Sequence, residues 1–269
     1  MTLGQDPSKP NGNTPPSEFK TAHDGRANAA PARIPIKLPS IKPYVTHTII
    51  GLTVFIYLLQ LATDYFLFED YLVLYGAKIN QLIAYGQLWR LFTPVLLHGS
   101  ILHIAFNMYA LSRIGPSLER YYGHWRFLGL YILAGFGGNV FSMMFTEAAS
   151  LGSSTAIFGL IGAQGVFYYH NREIFGSSFR QALNGIISIA VVNLVIGLSP
   201  GIDNWGHVGG LISGVLFSWL GGPILEVAGV YPNLAFEDKR EPNEVFQAAG
   251  IAGIFFSILA AGALYLMVR

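Results

Sequence analysis

With 269 residues, 52% of them hydrophobic and only 12% charged, the chain is too poor in charge for a water-soluble globule, where about a quarter of residues are charged. A mean hydropathy of +0.45 agrees, and the composition reads as a polytopic membrane protein. A net charge of +1 gives no bulk attraction for nucleic acid, and the absence of cysteine excludes disulfides and thiolate metal sites.

Residues 1–43 are rich in Pro, Asn, Ser and Lys and lack an apolar run, so they are expected to form a disordered polar tail. They hold no signal-peptide core, which places the expected start of the chain on the cytoplasmic side. Apolar segments then predict seven membrane spans, near 44–62, 97–114, 125–146, 154–169, 182–199, 206–222 and 245–268. The intervening stretch 63–96, with "YFLFEDYLVLYG" and "LIAYGQLWRLFTP", is aromatic but only moderately apolar. It reads as an interfacial or re-entrant loop. Residues 223–244, including "FEDKREPNE", read as a cytoplasmic linker to the last span, 245–269. The expected fold class is all-α, a polytopic membrane helix bundle.

Lysine and arginine set the expected orientation. With the N-terminus inside, all but Lys78, Arg90 and Arg269 of the sixteen basic residues fall on the inner side. In that arrangement the second, fourth and sixth spans begin at the outer face and run inward. Ser154 to Tyr169 would form roughly 24 Å of helix against an apolar core of about 30 Å. Ser154 is therefore expected below the outer surface, at the end of a loop that dips inward.

Polar residues within spans are costly and mark candidate sites. His98, His103 and His207 fall at outer ends; His47, His124 and His170 fall at inner ends, and His23 lies in the tail. "GHVGGLISG" repeats small residues every four positions, giving the sixth span a smooth face, and Thr155, Gly159 and Ala163 give the fourth a similar one. If those faces meet, Ser154 and His207 come together as nucleophile and base. Spacing alone leaves a second reading equally open, in which Ser153 and Ser154 are packing residues and His207 bonds a neighbouring helix. His103 and Asn107, at i and i+4 on one helix face, are candidate donors to an oxyanion or else helix ties. Phe158, one turn below Ser154, reads as core or as an aromatic that packs on an imidazole.

Taken together, "WR" at Trp89–Arg90, "HGSILHIAFNMYALSRIGPSLERYYG" from His98, "GSSTAIFG" from Gly152 and "GHVGGLISG" from Gly206 resemble the rhomboid family of intramembrane serine proteases. The resemblance covers roughly 44–222, a six-helix core, and the last span is similar to the extra helix of the six-plus-one subclass. It implies a serine endopeptidase that cleaves transmembrane protein substrates within the lipid bilayer, with no cofactor, no metal and no nucleic-acid partner. It further implies a bacterial plasma membrane location with the site opening outward. Ser154 would be the nucleophile and His207 the base. His103, Asn107 and the Ser154 N–H would form the oxyanion hole. Phe158 would pack on the imidazole, and Gly210 and Gly214 would be close-packing glycines. Trp89, Arg90 and Glu119 match structural positions, and Asp203 reads as a helix cap. One departure stands out: the family's glycine after the nucleophile is Thr155 here. Two rival functions remain, a rhomboid-like protein that binds membrane clients without cleaving them, and a small transporter. The second is disfavoured because the chain shows neither an internal repeat nor a charge deep in a span.

Overall fold

The computed structural model describes residues 36–269. The tail expected over 1–43 therefore lies outside the described residues up to position 35, as does His23. Seven long helices carry the chain: α1 (Tyr44–Leu67), α4 (Ile101–Tyr122), α5 (His124–Phe145), α6 (Ser154–His170), α8 (Ser178–Ile196), α9 (Asn204–Gly221) and α10 (Pro242–Val268). The seven predicted spans match them in number and order. The second span is displaced: its helix starts at Ile101, leaving His98 in the preceding loop, and runs on to Tyr122. Ser100 sets that start, because its side chain accepts from the His103 N–H and caps the helix.

The stretch 63–96 does not span. After the end of α1 it forms α2 (Tyr71–Gly76), α3 (Asn80–Ala84) and two 3-10 turns, with Tyr65, Phe66, Phe68, Tyr85 and Trp89 exposed. Its two cations are buried. Arg90 donates to the carbonyls of Ala77 and Leu74 at the end of α2. Lys78 donates to those of Thr146 and Ala148 just beyond α5, satisfying acceptors that a helix end leaves free. Burial pushes the Lys78 ammonium down to about 8. Lys78 also exchanges backbone hydrogen bonds with Ser150, which ties this loop to the segment leading into α6.

A charged residue fixes the other end of the bundle. Glu119, fully buried in the last turn of α4, accepts from the Val45 and Thr46 N–H groups and the Thr46 hydroxyl, at 2.8, 2.8 and 2.6 Å. It also lies 2.6 Å from His124 Nδ1. The carboxylate thus caps α1 from another helix, where Pro43 supplies no side-chain cap. At the far side of the sequence, 223–244 is more than a linker. β1 (Leu225–Ala228) and β2 (Ala235–Asp238) pair antiparallel, and Lys37 bridges to Ala235. Arg126 pairs with Asp238 at 2.7 Å, and Arg240 donates to the last carbonyls of α9 at Trp219 and Gly222. A capping box of Glu241 and Glu244 then starts α10. Ala248, Ala252, Phe256, Ala260 and Ala263, one turn apart or nearly so, are the buried residues of α10.

The centre of the bundle is α5, α6 and α9. α6 buries eleven of its seventeen residues. Small residues let the backbones approach: a Cβ on Gly214 would fall 2.0 Å from the Gly159 carbonyl oxygen, and one on Gly210 would fall 2.0 Å from that of Thr155. A single turn, α7 (Arg172–Phe175), leads from α6 to α8, which by contrast buries no residue at all.

Two stability predictions follow from these contacts. Glu119→Ala leaves the first N–H groups of α1 without their acceptor, and should cost about 3 kcal/mol, the order seen when one partner of a buried charged network is removed. Glu119→Gln should recover part of that loss, both being read as thermal unfolding in detergent. Gly214→Ala must separate two backbones, and should cost about 1–3 kcal/mol as overpacking, more than the same change at Gly262, where nothing lies within 4 Å.

Candidate active site

The polar residues singled out in sequence come from three helices that begin at one end of the bundle. α5 ends at Phe145, and the chain then crosses to Gly152, whose φ of +126° suits glycine. A side chain at Gly152 would also meet His103, since its Cβ would lie 2.6 Å from His103 Nε2. Two backbone contacts hold this crossing in place, Ser150 with Lys78 and the Gly152 N–H donating to Pro94 O at 2.9 Å.

Ser154 opens α6, and the ladder of that helix begins with the Ile157 N–H on Ser153 O. The N–H of Ser154 therefore belongs to the unpaired first turn, where the helix field favours negative charge. His207 lies in the first turn of α9, started by Asp203, whose Oδ1 accepts from the Gly206 N–H at 2.9 Å. Ser154 Oγ and His207 Nε2 are 3.0 Å apart. The Phe158 ring stacks on the His207 imidazole with centroids 4.3 Å apart and planes 10° from parallel, so the ring can meet Ser154 only by its Nε2 edge. His207 is buried, and Ser154 is half-buried and so accessible to a reactant.

His103 and Asn107 face the same spot from α4. The Cβ position of Gly152 lies 2.6 Å from His103 Nε2 and 3.7 Å from Asn107 Nδ2. Asn107 Nδ2 is buried and has no partner among the described residues, which costs free energy unless a ligand atom accepts from it. Gly210 and Gly214 lie against α6 as described above. Ser154 and Phe158 both contact His207, His103 and Asn107 flank Gly152, and Gly210 and Gly214 pack on the α6 backbone. Among the described residues no group of three His, Cys, Asp or Glu side chains has the spacing of a metal site.

Thr155 is received by two glycines. A Cβ on Gly138 of α5 would sit 2.6 Å from the Thr155 Cβ, and one on Gly206 of α9 would sit 3.0 Å from its Cγ2. The branched side chain fills the space those two glycines leave, and α6 and α9 stay in backbone contact beside it.

Sequence reasoning missed one pair. Ser153 and His98 are both buried, and Ser153 Oγ lies 3.3 Å from His98 Nε2. The signal was a second serine and a second histidine within the same two motifs. What brings them together is the approach of two loops, which periodicity does not encode.

Comparisons with known proteins give the chain its family. Residues 85–224, just over half of the chain, match the family model of the Rhomboid domain. Rhomboid protease GluP of Bacillus subtilis (strain 168) is 42% identical over 174 residues, 64% of this chain and 34% of that protein. RHOMBOID-like protein 9, chloroplastic, of Arabidopsis thaliana is 36% identical over 156 residues, 58% of this chain and 36% of that protein. Rhomboid protease AarA of Providencia stuartii is 29% identical over 204 residues, 67% of this chain and 73% of that protein. The chain thus spans about a third of the length of the first two relatives and about three quarters of the third. Its helical bundle, its motifs and this match have one origin: the chain belongs to the rhomboid family.

Proposed function

We propose that this chain is a serine endopeptidase that cuts peptide bonds in or near the transmembrane segments of other membrane proteins. The observation that carries the reading is the 3.0 Å approach of Ser154 Oγ to His207 Nε2 at the starts of two helices joined backbone to backbone. Two of the relatives, GluP and AarA, are themselves named as rhomboid proteases, which supports the same reading.

The mechanism follows from the atoms present. His207 Nε2 takes the proton of the Ser154 hydroxyl as Oγ attacks the scissile carbonyl carbon. Negative charge then develops on the carbonyl oxygen. The Ser154 N–H, His103 and Asn107 Nδ2 converge on that oxygen, and the unpaired amide of Asn107 is what such a donor looks like before substrate arrives. The His207 imidazolium returns its proton to the leaving amine. Water repeats the sequence on the acyl-enzyme, with His207 again as base. Phe158 holds the imidazole at the angle both steps need. No step calls for a metal or cofactor.

The charge bias supports a cytoplasmic N-terminus and a site that opens toward the outer side of a bacterial plasma membrane. The catalytic unit is 44–222, with α10 added as a seventh span in the manner of the six-plus-one subclass. An intact helix hides its amides in hydrogen bonds, so a substrate segment must unwind before it reaches Ser154. A cavity of about 400 Å³ between α8, α6 and α9 is lined by Ile161, Gly165, Leu183, Ile187, Leu211 and Trp219 among others. The packing of Thr155 against Gly138 and Gly206 leaves the dyad intact, which speaks against a purely client-binding protein.

Ser154→Ala and His207→Ala should each lower cleavage of a reporter transmembrane segment by at least about 10³-fold, and Ser154→Ala should abolish labelling by a fluorophosphonate. Cleavage retained in Ser154→Ala overturns the assignment. Asn107→Ala should keep the fold and lower kcat about 10²–10³-fold with little change in KM, since the contact forms only as charge develops.

A further inference from the structure

Two hydroxyl–imidazole pairs sit side by side in this site, and only one is used above. Ser153 is the residue before the nucleophile and occupies the N-cap position of α6. A serine there ordinarily turns its hydroxyl back onto the first N–H groups of its own helix. Ser153 makes no such bond. Its Oγ lies instead 3.3 Å from His98 Nε2, with Ser153 0% and His98 1% exposed. Burial bars substrate from both, so the pair cannot be an alternative nucleophile and base.

His98 is itself held tightly. Gln60 of α1 brackets its backbone, accepting from the His98 N–H at 3.0 Å and donating to the His98 carbonyl at 3.1 Å. Asp70 accepts the second Gln60 amide proton at 2.9 Å. The anchored imidazole meets His103 edge to face, with ring centroids 5.0 Å apart and an interplanar angle of 68°, an arrangement aromatic rings prefer. His103 has no side-chain hydrogen bond of its own among the described residues. Its orientation toward Gly152 is therefore set by what packs on it.

The geometry points to Ser153 and His98 as positioning residues: the Ser153 hydroxyl, through the His98 ring, fixes His103 where it can donate to the oxyanion formed at Ser154. This inference rests on the proteolytic reading and deepens it. Its physical content is registry. The nucleophile arrives at the first residue of α6 and the imidazole donor on α4. A hydrogen bond from the nucleophile's own neighbour to the residue packed on the donor makes the two move as a unit. A donor misplaced by about 1 Å forfeits much of its effect on the transition state while substrate binding is untouched.

The test is a double-mutant cycle on the full chain in detergent or liposomes, with a reporter transmembrane segment as substrate. Ser153→Ala should lower kcat about tenfold with KM within twofold of wild type. In a His103→Ala background the same change should lower kcat less than twofold, because the group it acts through is gone. A loss of equal size in both backgrounds, or a change confined to KM, overturns the inference. So does a Ser153→Ala enzyme that matches wild type. Thermal unfolding monitors folding; should Ser153→Ala not fold, His98→Asn, which removes the ring that packs on His103, enters the same cycle with the same expected outcomes. A wild-type chain without Ser154-dependent cleavage overturns the proteolytic reading and this inference with it, whereas Ser154-dependent cleavage with a neutral Ser153→Ala overturns this inference alone.

Discussion

The backbone of α9 lies directly on the backbone of α6, and the arrangement of the site descends from that contact. Gly210 faces the Thr155 carbonyl and Gly214 faces that of Gly159, at separations no side chain could share. A membrane offers little hydrophobic drive between helices, so close packing of this kind carries much of their association. The contact also fixes a distance. Two helices that touch along glycines hold their first turns within reach of short side chains, which is why a serine and an imidazole can meet at 3.0 Å without a loop spanning the gap. Wider packing would need longer reactive groups and would lose the stacking of Phe158 on His207.

A second consequence concerns which helices can stand in a bilayer alone. By length and composition α1, α5, α8 and α10 qualify as spans, whereas α4, α6 and α9 do not. Those three are the helices that carry His103 and Asn107, Ser154, and His207. α6 is short, and α4 includes Arg113, Glu119 and Arg120. Polar groups are tolerated in them because neighbours supply partners: Ser213 donates to Leu133 O, and Tyr122 donates to Ala163 O and Ser218 Oγ. Ordinary apolar helices form much of the outside, and the Ser154–His207 contact lies among the helices they surround.

Much of this was legible in the order of residues. Seven apolar stretches gave seven helices, and the small-residue stripe from Gly206 to Gly222 announced a helix face meant for close contact. Spacing placed Ser154 and His207 at the starts of two helices with small-residue faces, but left open whether they meet as a reacting pair or serve packing; their 3.0 Å contact depends on how those faces dock. Other features were hidden for physical reasons. The start of α4 moved to Ile101 because Ser100 caps it, so His98 became a loop residue rather than a helical one. The hairpin over 225–238 has strands of four residues, too short for alternation to declare itself, and it is held by bonds to Asn171 and Arg126 from distant helices. The aromatic stretch 63–96 was recognisable as a non-spanning element, but the burial of Lys78 and Arg90 against helix-end carbonyls depends on where those helices finish.

Thr155 shows how one departure from a family pattern is absorbed. Its Cβ and methyl group occupy the room left by Gly138 on one helix and Gly206 on another. The three positions consequently form a single mutational unit. While the threonine is present, a side chain at Gly138 collides with it and one at Gly206 presses on it at 3.0 Å. Reducing the threonine to glycine would not free Gly138, because a Cβ there would still fall 2.7 Å from the Gly206 carbonyl oxygen. Each residue's tolerance is therefore a property of the trio rather than of its own address.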